Sequence, residues 1–187
     1  MLKLSDKANL STLVLAGIIM SHVGWLYEVC LFIIMYGGYR DRGFLTLPLC
    51  PIYGITLIVI YILLGTPKSG GKLLSRFPTG GGRVVVYFLL ASLIPALSEF
   101  IGGEVMERVS GRILWSYEYY RYAVGKYACL EIALLWGILI LTVMCFFDKL
   151  IALLNRIPRD IAKRLSISLF SLGAFDFFGN ILVSVLG

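Results

Sequence analysis

The stretch LSTLVLAGIIMSHVGWLYEVCLFIIMY, residues 10–36, decides the fold. A helix that crosses a bilayer needs about 20 mostly apolar residues, and this run is longer than that while holding a single carboxylate, Glu28. It follows Lys3 and Lys7 as the apolar part of a signal peptide would, yet continues past Ser21 and His22 with no small-x-small cleavage site. It therefore reads as a retained spanning helix. Four more runs qualify, at about residues 46–65, 83–106, 129–147 and 165–186.

The composition points the same way. Of 187 residues, 59% are hydrophobic and 15% charged, and the mean hydropathy is +0.88. Soluble domains sit near about 45–50% apolar and about 25% charged. So much apolar surface cannot be hidden inside a soluble domain of this size. A water-soluble enzyme, a disordered chain and a disulfide scaffold are excluded. The expectation is an all-α integral membrane protein: a single domain over residues 1–187, with about five transmembrane helices in one bundle and the lipid bilayer as its first partner. Cys30, Cys50, Cys129 and Cys145 are scattered through apolar runs, so they read as small packing residues and imply neither a metal nor a cofactor.

The net charge of +6 and pI near 9.2 reflect loop Lys and Arg that set orientation, not nucleic-acid binding. With a cytoplasmic N-terminus, eleven basic residues fall inside and six outside. The positive-inside rule then places a multi-pass protein in the cell membrane with its N-terminus cytoplasmic and its C-terminus outside. Residues 66–82 read as a flexible inner connector. The run Gly65-Thr66-Pro67-Lys68-Ser69-Gly70-Gly71-Lys72-Leu73 brushes a phosphate-binding loop, but Thr66 replaces its first Gly and Leu73 its Ser or Thr. Residues 148–164 mix apolar and basic side chains around Pro158 and are expected along the inner membrane surface, as an anchor or a docking face.

Ionisable groups in hydrocarbon are costly and are retained when paired or functional. Glu28, Glu99, Glu131 and Asp176 lie within the expected spans, with Asn180 one turn after Asp176, and Glu104 and Glu107 at the outer end of the third. By helical periodicity Ser21, Gly24, Trp25 and Glu28 share one face, as do Gly173, Asp176 and Asn180. The expectation is a shared acidic, polar cavity in the outer half of the bilayer. Pro95 should kink the third helix one turn before Glu99. Arg40, Arg42, Arg112, Arg121 and Lys126 are available as partners, so a ligand site and a set of helix-locking ion pairs both remain open. The aromatic loop from Arg108 to Tyr127 is either an interfacial girdle or a lid.

Several stretches carry a resemblance: Gly24-Trp25-Leu26-Tyr27-Glu28, Arg42-Gly43-Phe44-Leu45, Pro48-Leu49-Cys50-Pro51-Ile52-Tyr53-Gly54, Ser98-Glu99-Phe100-Ile101-Gly102-Gly103-Glu104, and Trp115-Ser116-Tyr117 with Gly125-Lys126. In this order they resemble the ABC-transporter type IV (CmpB-like) family of small membrane permeases. The positions that the resemblance carries over are Trp25, Tyr27, Glu28, Arg42, Gly43, Pro51, Tyr53, Gly54, Glu99 and Glu104. The family pattern has a Gly near Leu47 and an Asp near Ser116, where this chain departs from it.

The leading functional expectation is a permease or transport component, with Glu28, Glu99, Glu104, Glu131, Asp176, Asn180, Arg42, Trp25, Tyr27 and Tyr53 as candidate substrate- or ion-binding residues. A separate ATPase or membrane subunit is an expected partner. A homodimer, packed through Gly102 and Gly103, is another. The alternatives are an intramembrane enzyme acting on lipid or lipid-linked substrate, and a regulatory or assembly subunit of a larger membrane complex. The enzyme would use Glu28, Glu99 or Asp176 as acid or base, though no nucleotide-hydrolysis motif and no nucleophile constellation are present.

Overall fold

In apolar surroundings a chain must satisfy its backbone polar groups internally, which long helices do without help. The computed structural model describes residues 8–71, 73–74, 77 and 80–186. Lys3, Lys7, Lys72 and Arg76, counted above in the charge balance, lie outside the described residues. The described residues form five helices: α1 (Leu10–Tyr36), α2 (Pro51–Leu64), α3 (Gly81–Ser110), α4 (Leu130–Leu154) and α5 (Arg159–Leu186). Two short strands, β1 (Ala123–Val124) and β2 (Ala128–Cys129), pair antiparallel between α3 and α4. The all-α membrane bundle of the sequence reading holds.

Local chemistry sets the ends of these helices. The Asn9 side chain accepts the Thr12 N–H at 2.8 Å and opens α1, and Gly37 closes it in the left-handed region at φ 71°. Gly111, at φ 67°, closes α3 in the same way. Gly125, at φ 64°, turns the β1–β2 hairpin.

Two boundaries differ from expectation. The second span begins at Pro51, not near residue 46, and α2 has only 14 residues. At 1.5 Å per residue it covers roughly 21 Å, short of the roughly 30 Å hydrocarbon core. Four helices, α1, α3, α4 and α5, are long and apolar enough to cross. The cause is the two prolines: Leu47 and Cys50 each precede one and are biased away from helical backbone. Pro51 then sits where its missing N–H costs least. The second difference is at residues 148–164, which form no separate surface helix. Instead, α4 runs on to Leu154 and α5 starts at Arg159, directly after Pro158.

Packing pairs α1 with α2, α3 with α4, and α5 with α1. Small residues permit the closest approaches. A Cβ at Gly54 would strike the Gly17 carbonyl and Ser21 Oγ, and one at Gly137 would strike Ser92 Oγ and Phe88. The most deeply buried core, with Ile60, Tyr61, Leu64, Leu74, Tyr87, Met144 and Phe147, gathers near the α2–α3 connection. Around it Asp148 accepts from Thr66 Oγ1 at 2.9 Å, and Tyr87 donates to the Gly65 carbonyl at 3.0 Å. In contrast, α5 buries only Ala162 and Ser166.

Candidate functional site

Because α2 is short, residues 38–50 descend beside the second half of α1 as non-helical chain, and the Cys50 N–H donates to the carbonyl of Ser21, near the middle of α1, at 3.0 Å. Irregular backbone at this depth persists only where protein satisfies it, and polar side chains of α1 and α5 do so. Asp176 Oδ2 accepts the Leu47 N–H at 2.9 Å, while Asn180 Nδ2 donates to Asp176 Oδ1 at 3.0 Å and Thr46 Oγ1 at 3.2 Å. His22 Nδ1 lies 2.9 Å from the Pro48 carbonyl, which can only accept, so that nitrogen carries the proton. Trp25 Nε1 donates to Asp41 Oδ1 at 2.9 Å. Gly43 turns this segment at φ 104°, with Cys50 Sγ against the space where a Cβ would stand.

The same segment returns Arg42 to Glu28. Their ion pair spans 3.4 Å, and the other Glu28 oxygen accepts the Tyr53 hydroxyl. Tyr53 forms part of the wall of a cavity of about 160 Å³ between α1, α2, α3 and α4. The cavity lies at the middle of the long helices, between Met20 and Tyr27 on α1, Pro95 and Glu99 on α3, and Trp136 and Val143 on α4. Its wall is nearly all apolar, and among the described residues Glu99 is its one carboxylate. Tyr27, Tyr53 and Trp136 stand with ring centroids 5.2–6.5 Å apart and planes inclined at 60–76°.

Glu99 Oε1 accepts two hydrogen bonds, from Trp136 Nε1 at 2.9 Å and Tyr117 Oη at 3.2 Å. Among the described residues no Lys or Arg pairs with it. Tyr117 comes from the loop between α3 and α4, where burial first and the Glu99 charge second push the phenol's pKa well above its ordinary value, so it stays a donor. The loop is held down beside the site. Tyr127 is fully buried over Gly103, its hydroxyl on Glu107 Oε2 at 2.5 Å, and Lys126 Nζ lies 2.6 Å from Glu107 Oε1. The Lys126 pKa is raised, chiefly by that hydrogen bond. Tyr119, Tyr120 and Tyr122 point outward.

A family model described as "Putative ABC-transporter type IV" matches residues 16–181. The chain belongs to this family. No curated protein and no solved structure gave a match.

Within this ABC-transporter type IV protein the ten residues singled out from sequence separate into groups. Tyr27, Tyr53 and Glu99 line the cavity, and Glu28 and Arg42 sit behind Tyr53. Trp25, Asp176 and Asn180 hold the irregular segment. Glu104 pairs with Arg108 at 3.0 Å on an exposed face. Glu131 serves the start of its own helix, accepting from Cys129 Sγ at 2.6 Å and the Tyr122 N–H at 3.3 Å. The carboxylates therefore do not converge on one polar cavity. The space between the helices is apolar and receives Glu99 alone, because each of the others meets a nearer donor.

Other expectations shift for similar reasons. Arg40 lies over the Phe32 ring and Arg112 over the Phe44 ring, rather than pairing with a buried carboxylate. Gly103 and Gly102 face Tyr127 and Trp115 of their own chain, so that stripe is occupied within the protomer. Sequence reasoning missed Trp136 and Tyr117 as the partners of Glu99. Trp136 left a trace in the sequence: it lies deeper in its apolar run than the headgroup belt where Trp usually sits. Tyr117 stood in the Trp115-Ser116-Tyr117 stretch that carries the resemblance, but with six aromatic residues in its loop nothing marked it as the partner of Glu99.

Proposed function

We infer that this membrane-embedded family member is a transport component whose substrate site is the mid-helix cavity walled by Tyr27, Tyr53, Glu99 and Trp136. One observation carries the reading: a carboxylate at mid-depth, on the wall of a cavity, with no Lys or Arg among the described residues paired to it. A carboxylate serving only to lock helices would be paired, as Glu28 is with Arg42. The position supports it too, since membrane transporters bind cargo near the bilayer midplane, often beside discontinuous helices. Here the short α2 and the irregular segment before it supply the discontinuity. The α3–α4 loop acts as the cover, latched to the site through Tyr117.

The family supports a separate ATPase subunit as the source of energy. The basic cluster Lys149, Arg156, Arg159, Lys163 and Arg164, on the same side as the α2–α3 connection, supports a cytoplasmic position for that end, with the C-terminus outside. Reporter fusions at each terminus test the orientation, and matching signals at both ends would refute it.

Native mass spectrometry of protein extracted gently from its own membrane tests the site. The expected spectrum carries a bound small molecule or lipid that Glu99→Gln loses while the variant still inserts. An empty wild-type cavity, or equal retention by Glu99→Gln, overturns the assignment.

A further inference from the structure

We propose that the cavity takes a lipophilic organic cation, an ammonium group bearing apolar substituents; this rests on the site assignment above and names its ligand class. Charge comes first. Among the described residues the one carboxylate in the cavity wall is Glu99, with no Lys or Arg beside it in that wall, and Arg42 on the α1–α2 side is already committed to Glu28 at 3.4 Å. Both hydrogen bonds to Glu99 converge on Oε1, and among the described residues none falls on Oε2. A carboxylate there repels an anion, and a neutral hydrocarbon supplies no counter-charge to it beyond its two hydrogen bonds.

The aromatic walls select the same class. Tyr27, Tyr53 and Trp136 all line the cavity, packed on one another at 60–76° rather than in parallel stacks, so aromatic surface borders the space that Glu99 also lines. Ring faces attract alkylammonium cations electrostatically, most strongly when desolvated. The Tyr53 hydroxyl donates to the Glu28 carboxylate, which pushes electron density onto its ring and strengthens that attraction.

Size and access complete the case. The remaining wall is aliphatic, which suits the substituents and not a hydrated inorganic ion. A cavity of about 150 Å³ accommodates a benzene-sized ligand, so 160 Å³ takes one trimethylammonium group, with the apolar remainder of the cation extending past the rim. Val23 lines the cavity and is itself 46% exposed, so apolar surface runs continuously from the site to the outside of the bundle. A cation with an apolar body can arrive by that route.

The test uses the full-length protein in nanodiscs of zwitterionic lipid. Trimethylphenylammonium is compared with its neutral isostere tert-butylbenzene and with benzenesulfonate, read by quenching of tryptophan fluorescence. The cation should saturate the wild-type signal and bind at least about tenfold more tightly than the neutral isostere. Glu99→Gln should reduce the cation to the level of tert-butylbenzene. Trp136→Phe should keep the preference for the cation, and Val23→Phe, at the exposed rim, should weaken both ligands without changing their ratio. These two are read by displacement of radiolabelled cation. Equal or tighter binding of tert-butylbenzene or benzenesulfonate overturns the cation assignment, as does a preference that survives Glu99→Gln. If the cation fails while the native spectrum still shows a Glu99-dependent ligand, the ligand class is refuted and the site stands. An empty native spectrum refutes the site itself.

Discussion

Replacing Asp176 by Leu tests whether an acidic group deep in α5 is there to hold backbone. Its Oδ2 accepts the Leu47 N–H at 2.9 Å, in a segment whose prolines forbid helical hydrogen bonding. Removing that acceptor leaves a half-buried N–H unsatisfied in apolar surroundings, at about 1–3 kcal/mol. Asn180 loses one contact but keeps the Asp176 carbonyl and Thr46 Oγ1, so it adds little. The expected loss is about 2 kcal/mol, roughly 30-fold in the folding equilibrium. If Asp176 had no such partner, exchanging it for Leu would stabilise the chain, since Asp at a helix centre costs about 2.5–3.5 kcal/mol more than the scale's zero and Leu less. The two accounts thus predict opposite signs. Asp176→Asn keeps an oxygen acceptor and should lose less than about 1 kcal/mol. Reversible unfolding in mixed micelles by titration with a denaturing detergent, followed by tryptophan fluorescence, measures all three proteins. A Leu variant as stable as wild type, or more so, refutes the backbone-holding role. An Asn variant of normal stability that no longer retains the cavity ligand refutes it too, because Asp176 would then belong to the binding site.

Gly54→Ala places a Cβ against the Gly17 carbonyl and Ser21 Oγ, where backbone cannot yield, and should cost about 3 kcal/mol or abolish the monodisperse fraction on size exclusion. Gly179→Ala, with nothing within 4 Å, should match wild type in the same assay. Tyr117→Phe removes one of the two hydrogen bonds on Glu99 and should release the α3–α4 loop, seen as faster amide exchange over residues 115–129, at about 1.5–3 kcal/mol for a bond to a charged acceptor. Slow exchange as in wild type would exclude the latch. Because the Lys126 pKa is raised by Glu107, the contribution of that pair is complete below the ordinary lysine value of about 10.4 and falls as pH climbs through the higher folded value. Loop exchange corrected for intrinsic rate should therefore accelerate at high alkaline pH in wild type, and Lys126→Met should lack that step.

Membrane insertion and helix content were legible from apolar run length, because in hydrocarbon the backbone has so few solutions that length and hydropathy nearly decide the answer. The start of α2 was half legible. Pro48 and Pro51 announce an interruption, but whether the residues before it form one more helical turn or an irregular strand depends on who satisfies their N–H groups. The answer is Asp176 and Ser21, at distances in the chain that no local pattern encodes. The roles of the acidic residues were the least legible, since Glu131 and Glu99 look alike in sequence and differ only in the donors that folding brings to them.

By itself the sequence determined that the chain is a multi-helix membrane protein of a recognisable family, with Pro48 and Pro51 at the entry to its second span and Pro95 inside its third. These are local properties: transfer of side chains to hydrocarbon, backbone limits at Pro and Gly, and periodicity along one helix. Only the tertiary structure decided that Glu28 is paired, that Asp176 holds backbone, and that Glu99 alone reaches the cavity among Tyr27, Tyr53 and Trp136. A carboxylate's role in hydrocarbon is set by its nearest donors, and those donors come from other helices.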